Sequence, residues 1–158
     1  MTKQLILRPE KCVDCRTCEL VCSYHHHQQF NPTLSAIKVV DFPEDVLTVP
    51  FMCLHCDEPA CVDACPVEAL TKQADGTVLY NPEDCTLCQS CVEACPTGGI
   101  TYSAKADCIL KCDLCSGNPQ CVEWCAPKAI DYLDSDDDNV GYKAIAEKFK
   151  ELMLEGVA

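Results

Sequence analysis

The densest chemistry in the sequence is the stretch CTLCQSCVEACP, residues 85 to 96, which places four cysteines in twelve residues. Two, two and three residues separate the cysteines, and a proline directly follows the last one. Structural zinc sites use two cysteine pairs, or cysteine and histidine mixtures, with a long gap between the pairs. A disulfide scheme leaves one thiol unpaired, because the chain has 17 cysteines. The spacing therefore favours a centre that contains several metal ions.

Four groups of cysteines with related spacing occur along the chain, and Cys108 lies outside them. The segments CVDACPVEAL, CVEACPTGGI and CVEWCAPKAI begin at residues 61, 91 and 121, a constant step of 30, and CELVC at residue 18 is a more diverged copy. A fixed period indicates a duplicated structural unit, here built around its cysteines. The candidate metal ligands are Cys12, Cys15, Cys18, Cys22, Cys53, Cys56, Cys61, Cys65, Cys85, Cys88, Cys91, Cys95, Cys112, Cys115, Cys121 and Cys125.

The spacing C-x2-C-x2-C-x3-C-P is the bacterial pattern for [4Fe–4S] clusters, in which the fourth cysteine binds the other cluster of a pair. The groups at 12–22 and 85–95 have these gaps, and the other two groups widen the second gap to four or five residues. Three thiolates on one tight loop can bind three irons of a cube, while a fourth on the following helix faces away. Sixteen ligands predict four [4Fe–4S] clusters, with zinc or mixed metal as the alternative.

Each unit needs a tight loop for its closely spaced cysteines and a short helix for its C-x3-C pair, because residues i and i+4 share one helix face. Pro66 and Pro96 are expected to end two of these helices by removing a backbone donor. Ser23 replaces this proline in the first copy, and Ala126 moves Pro127 one place later in the fourth. The ends of those two helices are therefore left open.

Short extended segments complete the units. GTVLY and GITYS are predicted strands, KQLILR is a predicted first strand, and AIKVV and VLTV are a predicted strand pair joined by a turn at Pro43. The acidic run DSDDDN precedes YKAIAEKFKELML, a predicted helix that presents one apolar face. This face either packs on the chain's own body or docks on a partner. Its residues are Tyr142, Ile145, Phe149 and Leu152.

Over roughly residues 5 to 133 the sequence resembles the four-cluster iron–sulfur subunits of the dimethyl sulfoxide reductase and formate dehydrogenase type. The segments CRTCELVCSYHH, FNPTLSAIKV and KCDLCSGNPQCVEWC are most similar to the small subunits of tungsten aldehyde oxidoreductase-like enzymes, including the benzoyl-CoA reductase branch. In such families the first motif pairs with the fourth, and the second with the third. The implied ligand sets are Cys12, Cys15 and Cys18 with Cys125; Cys112, Cys115 and Cys121 with Cys22; Cys53, Cys56 and Cys61 with Cys95; and Cys85, Cys88 and Cys91 with Cys65.

The resemblance implies an α+β fold of two pseudo-symmetric, bacterial-ferredoxin-like dicluster units, the second nested within the first. The inner unit would span about residues 50–105, and the outer unit about 1–49 together with 106–133. Residues 134–158 would form an acidic linker and a C-terminal amphipathic helix.

The implied function is to relay single electrons through the clusters to or from a large catalytic subunit that contains molybdenum or tungsten. A further redox subunit or a ferredoxin would serve the other end. The sequence contains no nucleophile–base pattern, phosphate-binding glycine loop or dinucleotide fingerprint, so the chain is not expected to be an enzyme by itself. The alternatives are a free, diffusible polyferredoxin and, from another class, a zinc-stabilised interaction module.

The amino-acid composition and the charge limit which binding partners and which cellular location are expected. The formal net charge of −13 makes nucleic acid an improbable partner, because phosphate binding needs clustered Lys and Arg. No apolar run approaches the length of a membrane span, and MTKQLILRPEKC lacks a signal-peptide pattern. A cytoplasmic protein is therefore expected. The apolar fraction of 48% includes the 17 cysteines, so hydrocarbon side chains alone do not organise the interior.

Several residues outside the cysteine groups receive structural interpretations. Cys108 is predicted to be a buried free thiol, and the run His25–His27 a polar loop, because adjacent residues do not converge on one ion. His55 either tunes a cluster from the second shell or fills a loop. Trp124, which replaces an alanine of the repeat, is predicted to pack against the body, with a docking contact on a partner as the alternative. The acidic run Asp134–Asp138 is predicted to be a solvated linker.

Overall fold

The computed structural model describes residues 3–134, and within this range the chain forms short helices and antiparallel strands, as expected of an α+β protein. The strands are β1 (Lys3–Leu7), β2 (Lys38–Phe42), β3 (Leu47–Phe51), β4 (Leu70–Lys72), β5 (Val78–Tyr80), β6 (Ile100–Ser103), β7 (Cys108–Lys111) and β8 (Ile130–Asp134). The helices are α1 (Thr17–His27), α2 (Ala60–Asp63), α3 (Ser90–Ala94) and α4 (Gln120–Glu123), with 3-10 turns at Pro9–Lys11, Pro32–Leu34 and Leu114–Gly117. The predicted C-terminal helix and all but the first residue of the acidic run lie outside the described residues.

Each strand pairs with one other strand, which gives four two-stranded antiparallel sheets in the described range. Three sheets join strands that follow one another in sequence, β2 with β3, β4 with β5 and β6 with β7. The fourth joins β1 to β8, with Leu5 opposite Tyr132 and Leu7 opposite Ile130. An ion pair between Arg8 and Asp131 continues this contact beyond β1. The two ends of the described chain are therefore held together, and the predicted first strand is confirmed.

The β2–β3 hairpin confirms the predicted strand pair and its turn at Pro43. Phe42 lies opposite Leu47, and four residues connect the two strands. The rings of Phe42 and Phe51 lie 6.2 Å apart in the core, and Val49 is fully buried. Burial of this apolar face stabilises the hairpin and fixes its register, because a slip by one residue would expose it.

The helix that carries Cys18 and Cys22 is longer than the others, and Ser23 provides the reason. Its hydroxyl donates to the carbonyl of Leu20 at 3.0 Å and accepts from the N–H of Asn31 at 3.1 Å. Because a proline at this position would remove a helical donor, its replacement lets α1 continue to His27. The prediction that the histidine run is a loop was therefore wrong. In the other three copies the helix ends one or two residues before the second cysteine of the pair.

The buried side chains form two clusters, and cysteines belong to both. The larger cluster lies between β1, β8 and the β2–β3 hairpin, and the smaller one between β4, β5, β6 and β7. The α1 helix contacts α4, and α2 contacts α3. Sulfur thus takes part of the place that hydrocarbon side chains fill in other cores, which accounts for the small apolar content. The larger cluster includes Leu5, Val49, Phe51, Ile130, Cys22, Cys121 and Cys125; the smaller includes Leu70, Val78, Ile100, Ile109, Cys91 and Cys95.

Gly99 lets the segment before β6 approach the end of β3. A Cβ atom at this position would lie 2.6 Å from the carbonyl oxygen of Met52 and 2.7 Å from the Cα of Cys53. Backbone atoms cannot move aside as the end of a flexible side chain can, so only glycine fits here. No helix within residues 3–134 has the length and hydropathy needed to cross a membrane.

Candidate metal centres

The sixteen predicted ligands come together around four small cavities, each lined by four cysteines. Three cysteines in each cavity come from one loop and its helix, and the fourth comes from a distant motif. Each cavity encloses about 300 to 350 Å³ of space outside the protein atoms, part of it open to solvent. Cavity A is lined by Cys12, Cys15, Cys18 and Cys125; cavity B by Cys22, Cys112, Cys115 and Cys121; cavity C by Cys53, Cys56, Cys61 and Cys95; and cavity D by Cys65, Cys85, Cys88 and Cys91.

The four cysteine loops share one backbone feature. The second residue after the first cysteine of each loop has a positive φ, between 51° and 58°. This left-handed conformation turns the amide of that residue back toward the sulfur of the first cysteine. In three loops the N–H donates to Sγ at 3.4 Å, from His55 to Cys53, from Leu87 to Cys85 and from Leu114 to Cys112. The fourth loop places the amide of Asp14 against Cys12 in the same way.

Three of the four distant cysteines also lie beside hydrogen-bonding groups. The N–H of Ala69 donates to Cys65 Sγ and that of Ala129 to Cys125 Sγ, both at 3.3 Å. The hydroxyl of Thr97 lies 3.7 Å from Cys95 Sγ. Donors that point at sulfur favour the thiolate over the thiol. The backbone is therefore arranged to receive negative charge at these positions.

Burial opposes this negative charge in the absence of metal. It raises the pKa of Cys18 to about 12 and that of Cys61 to about 11. Burial also raises the pKa values of Cys112 and Cys121, and neighbouring thiolates add to the increase. Four ionised thiols around one small cavity require a compensating positive charge, which metal ions bound by thiolate supply. The donor set therefore fits a cluster of iron ions, which thiolates bind.

The cavities can be arranged in an order. Cavities A and B share α1 and the α4 segment, since Cys18 and Cys22 are on α1 and Cys121 and Cys125 are one helical turn apart. Cavities C and D share the α2 and α3 segments in the same manner. Cavity B adjoins cavity C, because Met52 and Cys112 line B while their chain neighbours Cys53 and Lys111 line C. The order is A, B, C and D.

The two outer cavities are the ones with an exposed ligand. Cys15 in cavity A and Cys88 in cavity D are exposed, whereas the other fourteen candidate ligands are at least partly buried. Hydrogen bonds from Ser90 lower the pKa of Cys88, in contrast to the raised values of the buried thiols. Solvent and other molecules can thus approach the two ends of the row.

The structure contradicts the predicted burial of two residues, Cys108 and Trp124. Cys108 is on β7 and is partly exposed, so the prediction of a buried thiol was wrong, although Cys108 lines none of the four cavities. Trp124 was predicted to pack against the body, but 57% of its surface is exposed.

His26 was missed by the sequence analysis. Its Nε2 lies 3.8 Å from Cys115 Sγ in cavity B and 3.5 Å from Asp113 Oδ1. Ligand atoms of His25, His26 and Cys115 all lie within 4.8 Å of one another, so the expectation that adjacent histidines diverge was also wrong. The continuation of α1 past Cys22 brings the histidines over the fourth loop. The presence of Ser23 in place of the expected proline was the sequence feature that could have indicated this longer helix.

His55 has a defined role in the second cysteine loop. Its Nδ1 accepts from the N–H of Val78 at 3.0 Å, which connects the loop to β5. Burial, together with the nearby charge of Lys111, lowers the pKa of His55 to about 3. The imidazole is therefore neutral at physiological pH. Sequence alone left open whether His55 acts on the metal centre or fills a loop. Its hydrogen bond with Val78 and its proximity to Lys111 place it beside cavity C, because both of these residues line that cavity.

Two independent features, the hairpins with short helices and the four-thiol cavities, define a ferredoxin-like metalloprotein. The family profile described as a 4Fe-4S dicluster domain matches residues 44–135, more than half of the chain, and a 4Fe-4S binding domain profile matches residues 9–25. The chain belongs to the 4Fe-4S dicluster domain family. The prediction of [4Fe–4S] clusters is thereby confirmed, and the zinc alternative loses its support.

Relatives of this chain are iron–sulfur subunits of oxidoreductases. The polyferredoxin-like subunit of the aliphatic sulfonate oxidoreductase of Pyrococcus furiosus is 40% identical over 86 residues, which are 53% of this chain and 49% of that protein. The formate dehydrogenase iron–sulfur subunit of Wolinella succinogenes is 30% identical over 82 residues, which are 49% of this chain and 40% of that protein. The match thus spans half or less of the length of these relatives.

A solved structure is similar over nearly the whole length. It is a chain of the active-site complex BamBC of benzoyl-coenzyme A reductase, in the form with zinc, and it is 26% identical with a TM-score of 0.51. The superposition covers 99% of this chain and 92% of that one. The predicted resemblance to iron–sulfur subunits of this type is confirmed.

Proposed function

We propose that the chain is an electron-transfer subunit that carries one [4Fe–4S] cluster in each of cavities A, B, C and D. The observation that carries the proposal is the convergence of four thiols on each cavity, three from one motif and one from another. A bound [4Fe–4S] cluster accepts and releases a single electron at a potential set by its surroundings. The four sets use all sixteen cysteines of the motifs and leave Cys108 free.

The residues of the chain would bind the clusters, hold them in position and shield them from water. The thiolates ligate iron, and the amides of residues such as Leu87 and Ala129 hold the sulfur atoms and offset part of their charge. Apolar residues line much of each cavity, for example Val39 and Ile130 at A and Leu70 and Ile109 at D, and they limit contact with water. No side chain has to make or break a bond for an electron to pass.

The order of the cavities supports a route along the molecule. Electrons would enter or leave near Cys15 at cavity A and near Cys88 at cavity D, because these are the exposed ligands. The contacts of α1 with α4 and of α2 with α3 support the nested arrangement of two dicluster units. In this arrangement residues of about 50–105 form the inner unit, and residues 1–49 with 106–133 form the outer one.

A large catalytic subunit of the molybdenum or tungsten type is the proposed partner, and the cytoplasm is the proposed location. Support comes from the relatives, which are named as subunits of a sulfonate oxidoreductase and a formate dehydrogenase, and from the likeness to a chain of a benzoyl-CoA reductase complex. A further redox subunit or a ferredoxin would exchange electrons at the opposite end.

Anaerobic purification of the tagged chain from its native host tests this proposal. The chain should contain about 16 irons and about 16 acid-labile sulfides, and a large subunit with tungsten or molybdenum should accompany it at fixed stoichiometry. The variant Cys108→Ser is the matched control, because it removes a thiol outside the cavities and should keep the full metal content. Zinc without sulfide would contradict the cluster assignment, whereas a fully loaded chain without a partner would indicate a free polyferredoxin.

A further inference from the structure

Lys111 places a positive charge at the junction of the two central cavities. It is the last residue of β7 and directly precedes Cys112, a candidate ligand in cavity B, while Lys111 itself lines cavity C. The ammonium donates to the carbonyl oxygens of Val78 at 2.8 Å and of Cys112 at 2.9 Å. These two contacts fix the charge in a partly buried position between strands β5 and β7.

The charge of Lys111 acts on both central cavities. Its ammonium bonds the carbonyl of Cys112, whose residue lines cavity B, and the carbonyl of Val78, whose residue lines cavity C. Its two acceptors are carbonyl oxygens, which have no net charge and do not cancel it.

Two other cations beside the cysteine loops, Arg16 and Lys72, are more exposed than Lys111 and lie next to carboxylates. Arg16 lines cavity A, but it is exposed and pairs with Asp14 at 2.8 Å and with Asp41 at 3.1 Å. Lys72 reaches the loop of cavity C, where it donates to the carbonyls of Cys56 and Asp57, but it also lies 3.5 Å from the Asp57 carboxylate and is exposed. Solvent and paired carboxylates weaken the effect of such charges.

We propose that Lys111 tunes the relay by raising the reduction potentials of the clusters in cavities B and C above those in A and D. A reduced cluster is one unit more negative than an oxidised one, so a fixed cation at low exposure favours the reduced form. Electrons would then reside first at the centre of the molecule, away from the exposed ligands Cys15 and Cys88. This inference rests on the proposed function, because it concerns the clusters that the cavities would hold.

Redox titration of the purified, fully loaded protein, followed by electron paramagnetic resonance, tests the proposal. In Lys111→Met the ratio of reduced to oxidised cluster at fixed potential should fall at least tenfold for the two highest-potential clusters, a shift of about 59 mV for one electron. The two lowest potentials should change less than threefold. Lys111→Arg keeps the charge and should restore the central potentials.

Two controls separate charge from structure. Lys72→Met removes an exposed lysine at the same loop and should change every ratio less than threefold. Lys111→Gln removes the charge but keeps a donor for the carbonyls, so it should reproduce the shift even if Lys111→Met assembles poorly. Iron and sulfide counts on each variant show whether clusters are present. Absent clusters in the wild type would refute the proposed function itself, whereas loaded variants with unchanged or uniformly shifted potentials would overturn only the role of Lys111.

Discussion

At the level of single residues, burial in the cavities disfavours ionised thiols, whereas hydrogen-bond donors favour them. Burial raises the pKa values of thiols such as Cys18 and Cys121, so without metal they remain protonated at neutral pH. Amide donors, such as that of Leu114 at Cys112, favour the ionised sulfur. Metal binding must therefore release protons, and the free energy of ligation has to exceed the cost of ionising buried thiols. Loss of one ligand should affect one cluster strongly.

Removal of the distant ligand of cavity A tests this expectation. In Cys125→Ser the cluster on Cys12, Cys15 and Cys18 should be lost or damaged, and the iron content should fall from about 16 to about 12 per chain. The inner clusters should remain, because neither cavity C nor cavity D uses Cys125. Iron and sulfide analysis checks the result, with Cys108→Ser as the loaded control. A loss of all clusters, or of none, would contradict the assignment of Cys125 to cavity A alone.

Glu19 illustrates a buried residue that positions a ligand without binding metal. It follows Cys18 on α1, only 3% of its surface is exposed, and its Oε1 accepts from the N–H of Val39 at 2.8 Å. Glu19→Ala would leave this buried N–H without its acceptor, which costs about 1–3 kcal/mol. We expect faster loss of cluster absorbance in guanidinium than in the wild type.

The controls for this prediction are two further glutamate variants. Glu19→Gln keeps an acceptor oxygen and should lose absorbance more slowly than the alanine variant. Glu123→Ala removes an exposed glutamate of α4 and should change stability by about 0.5 kcal/mol or less. Equal rates for all three variants would argue against a structural role of the contact between Glu19 and Val39.

Sequence selected the sixteen cysteines that line the four cavities, but it did not indicate the residues beside them. These cysteines could be selected because their spacing repeats, and spacing is a local property of the chain. Lys111 and His26 approach the cavities only after β7 and the end of α1 are placed by tertiary contacts. No motif marks Lys111 or His26. In the sequence, a lysine that precedes a cysteine looks the same whether or not it lies beside a cavity in the fold.

At the scale of elements, helix length decides what lies over each cavity. The short helices α2 and α4 each form a single turn, whereas α1 continues to His27 because Ser23 does not interrupt its hydrogen bonds. The bonding of Ser23 to Asn31 involves a residue eight positions away. The predicted helix ends at Pro66 and Pro96 follow from local rules, but the longer α1 depends on this more distant contact.

The close approach of the segment before β6 to the end of β3 can be tested with one methyl group. Gly99→Ala would place Cβ against the carbonyl of Met52 and the backbone of Cys53, at 2.6 to 2.7 Å. We expect separation of Cys95 from Cys53 and loss of the cavity C cluster, measured as about four irons fewer per chain. A fully loaded Gly99→Ala protein would show that this approach is not needed.

Gly76→Ala provides the comparison. Gly76 has φ of +87°, but a Cβ there would meet nothing within 4 Å. The cost should be limited to backbone strain of about 1–2 kcal/mol. The clusters should therefore be retained in this variant.

At the scale of the whole molecule, the pairing of β1 with β8 joins residues more than 120 positions apart, such as Leu5 and Tyr132. Periodicity predicted β1 as a strand, but it contains no information about a partner at the other end of the chain. The resemblance to four-cluster subunits was needed to imply that the first and fourth motifs meet. Cavity A has the same property, because Cys12 and Cys125 both line it.

The proposed nested arrangement predicts how fragments of the chain should assemble. A fragment of about residues 50–105 contains all the cysteines of cavities C and D, so it should bind two clusters, about eight irons. A fragment of residues 1–110 retains Cys12, Cys15, Cys18 and Cys22 but lacks the partners of cavities A and B. It should therefore also bind only two clusters, although it is twice as long.

The physical reason is that a cluster across cavity A closes a loop of more than 100 residues, and binding is coupled to folding of both ends. Without Cys125 the first motif offers only three ligands around the cavity and loses the β1–β8 contact. Anaerobic reconstitution followed by iron and sulfide counts on both fragments and on the full chain would measure the outcome. About twelve irons in the 1–110 fragment would mean that the first motif completes its own cluster with Cys22, and the pairing of distant motifs would then be wrong.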